Sequence, residues 1–177
     1  VVPEVFKNLK KYLKKKFNLE TKELKQFNLN KKLKIDVNKK QVGSDRLANA
    51  ISVINNKDNF IILDFGTATT FDLVGIDGSY NGGIIAPGVN LSLEALYLAA
   101  ARLPRVALKP LSNKKSIIGK NTVNAMESGI YWGYLSLVEG VISKIKNERN
   151  IIFSVSLSFS CGRILHVFAT TRNSYTI

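Results

Sequence analysis

Residues 60–87, "FIILDFGTATTFDLVGIDGSYNGGIIAP", constrain the fold more than any other stretch of this chain. Apolar and β-branched residues gather in three blocks, "FIILD", "TTFDLVGI" and "YNGGIIAP". Short glycine-bearing breaks separate them, and "DGS" between the second and third reads as a tight turn. The spacing predicts three successive strands, the first ending in a carboxylate, Asp64, and passing through Gly66 and Thr67 into the second.

Around this block the period changes to that of helices. Residues 4–17 place Val5, Leu9, Leu13 and Phe17 on one face, with Lys7, Lys10, Lys11, Lys14 and Lys15 mostly elsewhere. "LKIDV" (33–37) alternates and predicts a short strand. "GSDRLANAISVINN" (43–56) reads as a turn feeding a helix, capped by Ser44 or Asp45, with Leu47, Ala50, Ile51 and Ile54 as its buried stripe. "NLSLEALYLAAARL" (90–103) predicts a helix with Leu93, Leu96, Tyr97 and Ala100 on one face. An irregular stretch containing Pro104 and Pro110 follows, then the longest helix, "NTVNAMESGIYWGYLSLVEGVISKIKNE" (121–148). Gly129, Gly133 and Gly140 recur there at roughly helical spacing. A glycine costs about 1 kcal/mol inside a helix, so close packing against another helix of the chain or against a second subunit is expected in compensation. "IIFSVSLSF" (151–159) predicts a last strand, and no firm pattern follows Cys161. Strands and helices in this order predict an α/β fold with a mixed sheet and flanking helices.

Composition removes several function classes. With 45% hydrophobic and 22% charged residues, the 177-residue chain has enough apolar material for a core. It contains no apolar run of about eighteen residues, the length of a membrane span. The opening "VVPEVFKNLKK" lacks the basic-then-apolar layout of a secretory signal, and the single Cys161 allows neither an internal disulfide nor a structural zinc cluster. A reduced, cytoplasmic protein is expected. A first residue of Val rather than Met suggests a trimmed or partial chain. The net charge is +13, with half of the 26 basic residues in the first 40 positions. That charge could attract nucleic acid or a membrane, but the lysines read as a solvated helix face. No aromatic-studded sheet or zinc-finger spacing accompanies them. Neither nucleic acid nor membrane is therefore expected as a partner.

The chemistry concentrates at the turns. Gly66 lets a ligand approach the backbone, and turn N–H groups with the hydroxyls of Thr67 and Thr69 would line a concavity for phosphate oxygens. The Asp64 carboxylate beside it can hold a cation. The letters "DFG" also occur in protein kinases, but the glycine-rich loop and the His-Arg-Asp segment of those enzymes are missing. Upstream, "VGSDR" (42–46) sets a carboxylate next to a guanidinium at a helix start. Asp45 there can serve as a general base, with Arg46 gripping an anion. "GGIIAPG" (82–88) supplies a flexible strand end near the same edge, and "GKNT" (119–122) puts Thr122 where it can cap a helix or bind an anion.

In this order, "GSDR", "DFGTATTFD", "GGIIAPG" and "GKNTVNAMESGIYWGY" closely resemble the type III pantothenate kinases, from about Val1 to about residue 150. The resemblance implies a ribonuclease H-like (actin-like ATPase) fold with two such domains. Residues 1–57 would be a remnant of the first, carrying a pantothenate-binding segment, and 58–177 the second. It implies ATP-dependent phosphorylation of pantothenate to 4′-phosphopantothenate, the first step of coenzyme A synthesis. Asp45 would activate the pantothenate hydroxyl, Gly43, Ser44 and Arg46 would line its pocket, and Thr122 would help bind it across a homodimer interface. Gly66 and Thr67 would contact ATP, Asp64 would coordinate potassium or ammonium, and magnesium would bridge the transferring phosphates.

The chain also departs from that pattern. The Asp-x-Gly-Asn-Thr phosphate motif of the family's first strand has no counterpart, which leaves the first domain incomplete. Lys39 stands where a proline is usual, "SVSLS" (154–158) replaces a paired glycine turn, and the resemblance ends at about residue 153. An inactive remnant that only binds ligand or dimerises is the alternative expectation.

Overall fold

In the computed structural model, which describes residues 3–29, 32–100, 102–107 and 116–158, the chain runs α1 (Pro3–Phe17), β1 (Lys34–Ile35), α2 (Ser44–Val53), β2 (Phe60–Phe65), β3 (Ala68–Val74), β4 (Ser79–Pro87), α3 (Val89–Ala99), α4 (Thr122–Arg149) and β5 (Ser154–Ser158). The expectations placed on Pro110, on Cys161 and on the unmatched C-terminus fall outside the described residues. The strands form a five-stranded mixed sheet in the order β1-β4-β3-β2-β5, and the α/β expectation holds.

Turn chemistry explains the middle of that order. β2 and β3 are joined by Gly66 and Thr67 alone, closed by a 3.0 Å hydrogen bond from the Gly66 N–H to the Ala68 carbonyl. A connection this short forces the two strands antiparallel. Between β3 and β4 the Gly75 N–H donates to Ser79 at 2.8 Å and the Gly78 N–H donates to Gly75 at 2.9 Å. Gly78 adopts φ +72°, a left-handed conformation that costs glycine little. The Asp77 carboxylate fastens the same turn, accepting from the Ser79 N–H at 3.1 Å and from its hydroxyl at 2.5 Å. β1 then adds parallel to β4, with Lys34 opposite Ser79 and Ile35 opposite Tyr80.

The chain separates into two compact units whose boundary runs through the strands, residues 1–62 with 72–83, and residues 63–71 with 84–177. In the first, Leu29, Leu33, Val42, Leu47, Ala50, Ile62, Val74 and Tyr80 form one buried cluster. Leu47 and Ala50 come from the predicted stripe of α2, while Ile51 and Ile54 pack against the cluster only partly buried. The predicted apolar face of α1 has little cover among the described residues, with Val5, Leu9 and Phe17 each at least half exposed. In the second unit α3 and α4 pack together, and Leu93, Met126, Tyr131, Tyr134, Ile142 and Ile145 are buried. Leu96 and Tyr97 of the predicted α3 face stay exposed.

Of the two partners expected for the glycine strip of α4, the helix of the same chain is missing among the described residues. A Cβ added at Gly129, Gly133 or Gly140 would meet nothing within 4 Å, so no other described part of this chain packs closely on the strip.

Leu47 carries α2 onto the first core with its side chain fully buried. Leu47→Ala is expected to cost about 2–5 kcal/mol of stability, read as a lower urea midpoint at unchanged slope. A midpoint that stays put would contradict this packing.

Candidate functional site

The first turn of α2 is built by backbone geometry rather than by a side-chain cap. Gly43 is the N-cap, in extended conformation and with no side-chain hydrogen bond. This corrects the expectation that Ser44 or Asp45 caps the helix, since both residues lie inside its first turn. Asp45 is exposed, and its carboxylate lies over Gly43, in the space that a Cβ there would take.

The next residue turns inward. Arg46 donates from Nε to Asp72 Oδ1 at 2.8 Å, and its Nη2 approaches the same oxygen at 2.5 Å. Tyr80 donates its hydroxyl to that oxygen at 2.6 Å, and the Arg46 guanidinium carbon lies 5.9 Å from the Tyr80 ring centre. Asp72 and Tyr80 are fully buried, whereas the Arg46 side chain keeps 14% of its surface exposed. Burial disfavours the charge of Arg46. The hydrogen bond to Asp72 and that carboxylate's charge outweigh it, helped by Tyr80 and Asp45, and hold the guanidinium more basic than usual. Burial, followed by the hydrogen bond to Asp72, pushes the Tyr80 hydroxyl the same way, well above the ordinary phenol range.

Neither Asp72 nor Tyr80 was singled out from sequence. The available signal was a carboxylate inside the apolar strand run "TTFDLV", where an unpaired charge would be costly.

The second unit presents the β2–β3 hairpin. Asp64 is buried near the end of β2, Gly66 is half-buried and Thr67 is exposed. The Gly88 N–H donates to the Thr67 carbonyl at 3.0 Å. A Cβ at Gly88 would collide with the carbonyl oxygens of Gly66 and Thr67, so the "GGIIAPG" segment closes directly onto the hairpin.

Two expected phosphate donors are already in use. The Gly66 N–H is spent within the turn, and the Thr69 hydroxyl is fully buried and hydrogen-bonded to the Tyr134 hydroxyl of α4. Thr67 therefore offers the exposed hydroxyl of this turn. The Val89 N–H also engages the Tyr134 hydroxyl, which ties β3, the start of α3 and α4 together at one oxygen.

Thr122 is exposed at the first position of α4, and Asn121 caps that helix by accepting from the Asn124 N–H at 2.9 Å. With capping done by its neighbour, the Thr122 hydroxyl is not needed for it. It borders a cavity of ≈ 720 Å³ lined in part by Leu96, Leu103, Lys120, Met126 and Gly129. Among the described residues no helix is long and apolar enough to cross a membrane, and no group of three His, Cys, Asp or Glu side chains could hold a metal ion.

The family described as type III pantothenate kinase matches residues 1–144. A type III pantothenate kinase of Pelagibacter ubique is 51% identical over 158 residues, which cover 89% of this chain and 62% of that protein. One of Caulobacter vibrioides is 47% identical over 154 residues, covering 84% and 57%, and one of Paramagnetospirillum magneticum is 50% identical over 130 residues, covering 73% and 48%. The chain thus spans between 48% and 62% of the length of these curated relatives. A solved structure of a Baf family protein from Campylobacter jejuni superposes with a TM-score of 0.49 at 18% identity, over 89% of this chain and 66% of that one. At that level it decides neither fold nor function.

Burial pushes the Tyr134 hydroxyl up to about 12, against the opposing pull of the Val89 N–H. A raised folded-state value means that its stabilisation is complete below the unfolded value near 10 and is lost as pH rises towards 12. Stability to urea is expected to fall across that alkaline window, and Tyr134→Phe to make the fall shallower. An identical slope in the variant would show that this hydroxyl does not contribute.

Proposed function

This chain belongs to the type III pantothenate kinase family, and on that premise we propose that the whole protein transfers the γ-phosphoryl group of ATP to pantothenate. The product is 4′-phosphopantothenate, and the reaction is the first step of coenzyme A synthesis. The observation that carries this reading is the first turn of α2, where an exposed carboxylate stands beside an anchored guanidinium.

In this reading Asp45 takes the proton of the pantothenate hydroxyl as the oxygen attacks phosphorus. An exposed carboxylate at a helix start is accessible for that task. Gly43, Ser44 and Arg46 line the pantothenate pocket. Arg46 brings guanidinium N–H groups that Asp72 does not consume, oriented towards the substrate carboxylate. Thr122, free of capping duty, adds a hydroxyl to pantothenate across the homodimer interface. The exposed Thr67 hydroxyl meets the ATP phosphates, and Gly66, whose N–H is spent within the turn, contributes by leaving no side chain in their way. Because such a transfer involves little covalent chemistry on the protein, alignment and charge neutralisation supply most of the rate.

The cations fit this donor set unequally. Asp64 with turn carbonyls is a hard-oxygen set suited to potassium or ammonium, which would offset phosphate charge. Without a three-carboxylate cluster among the described residues, magnesium would be held chiefly by the phosphates themselves, as it commonly is. The assembly in this reading is a cytoplasmic homodimer. The uncovered strip of Gly129, Gly133 and Gly140 supports it, because a second α4 could approach there closely. In this reading the fold is ribonuclease H-like, residues 1–57 belonging to the first domain and 58–177 to the second, with the resemblance to the family fading after about 153. Neither nucleic acid nor membrane takes part.

Asp45→Asn in the complete protein is expected to lower the turnover of pantothenate by about 10²–10⁴-fold while leaving thermal unfolding nearly unchanged. Retention of full turnover would remove Asp45 from the role of base.

A further inference from the structure

We infer that Asp72 and Tyr80 are positioning residues, which hold the Arg46 guanidinium in one orientation so that its remaining N–H groups meet the pantothenate carboxylate without a search among rotamers. The inference rests on the kinase reading above and extends it to two residues that do not touch substrate.

The geometry is that of a clamp with one open edge. Asp72 Oδ1 receives Nε and Nη2 of Arg46 from one direction and the Tyr80 hydroxyl from another, at 2.5–2.8 Å. The Tyr80 ring lies 5.9 Å from the guanidinium carbon, so the flat cation is bounded by a ring as well as by an edge-on carboxylate. An arginine normally samples many rotamers, and ordering it on binding reduces affinity. Here that ordering is done before substrate arrives.

A plain structural staple is the competing explanation, and two observations weigh against it. Apolar side chains of the same volume would fill this position without taking two charges out of water, so packing alone does not call for the trio. The burial is also one-sided, with Asp72 and Tyr80 sealed while Arg46 remains partly exposed beside the exposed Asp45. A staple has no use for an exposed edge. Pairing with Asp72 also lowers the net charge that Arg46 presents, so recognition falls on hydrogen-bond geometry rather than on attraction alone.

Tyr80→Phe is the informative variant, because it keeps the ring and its packing and removes only the hydroxyl. In the complete protein it is expected to raise KM for pantothenate about three- to tenfold, the size of one lost hydrogen bond, with KM for ATP little changed. In NMR spectra the Arg46 Nε–H signal is expected to exchange slowly in the wild type and faster in Tyr80→Phe. Asp72→Asn should show both effects more strongly, and if it does not fold, Tyr80→Phe decides alone. An unchanged KM for pantothenate in Tyr80→Phe, or equal rises in both KM values, would overturn the positioning role. Absence of pantothenate turnover in the wild type would instead overturn the kinase reading, a result visible before any variant is made.

Discussion

A charge pair with one member fully buried, Arg46 with Asp72, governs how the first unit is put together. It joins the first turn of α2 to the middle of β3, and Tyr80 brings in β4 at the same carboxylate oxygen. Removing one member of such a pair typically costs about 3–5 kcal/mol, because the other is left charged and unpaired in a poor solvent. The register of three elements is therefore coupled, and a slip of β3 by one residue would turn Asp72 to the opposite face and leave Arg46 without its partner. The apolar cluster around Leu33, Leu47, Val74 and Tyr80 supplies the bulk of the burial, but apolar contact is indifferent to small rotations. The ion pair is not.

The second unit uses a neutral counterpart. The Tyr134 hydroxyl meets the Thr69 hydroxyl and the Val89 N–H, while the Gly88 N–H binds the Thr67 carbonyl. The β2–β3 hairpin is thus held from two sides, and its tip is left with an exposed threonine. Fixing the tip through its neighbours leaves Thr67 available for recognition. The Thr69 hydroxyl is spent on structure, and two threonines two positions apart end up with different tasks because Thr67 lies in the turn before β3, whereas Thr69 lies in the strand and is fully buried against Tyr134.

Much of the fold was legible in the order of residues. The three strands of residues 60–87, the turn at Asp77–Gly78, both long helices and the short strands at 34–35 and 154–158 all fall where local pattern puts them. The candidate site was legible in part. Asp45, Arg46, Thr67 and Thr122 were singled out, and Asp45, Thr67 and Thr122 are exposed while Arg46 is partly so. The helix cap at Gly43, the commitment of Arg46 and the burial of Thr69 were not. Expected apolar faces on α1 and α3 remain largely open among the described residues, since periodicity identifies a face but not what covers it.

What the sequence alone determined is local: turn residues at Gly66–Thr67 and Asp77–Gly78 compel hairpins, and apolar spacing compels the helices, because both depend on contacts a few positions apart. The tertiary structure decided which polar groups are spent and which are offered. Arg46 finds Asp72 across 26 positions and Thr69 finds Tyr134 across 65, and no periodicity reports on partners that distant. The cost of leaving a polar group buried and unpaired is what selects those partners, and it is felt only once the chain has closed around them.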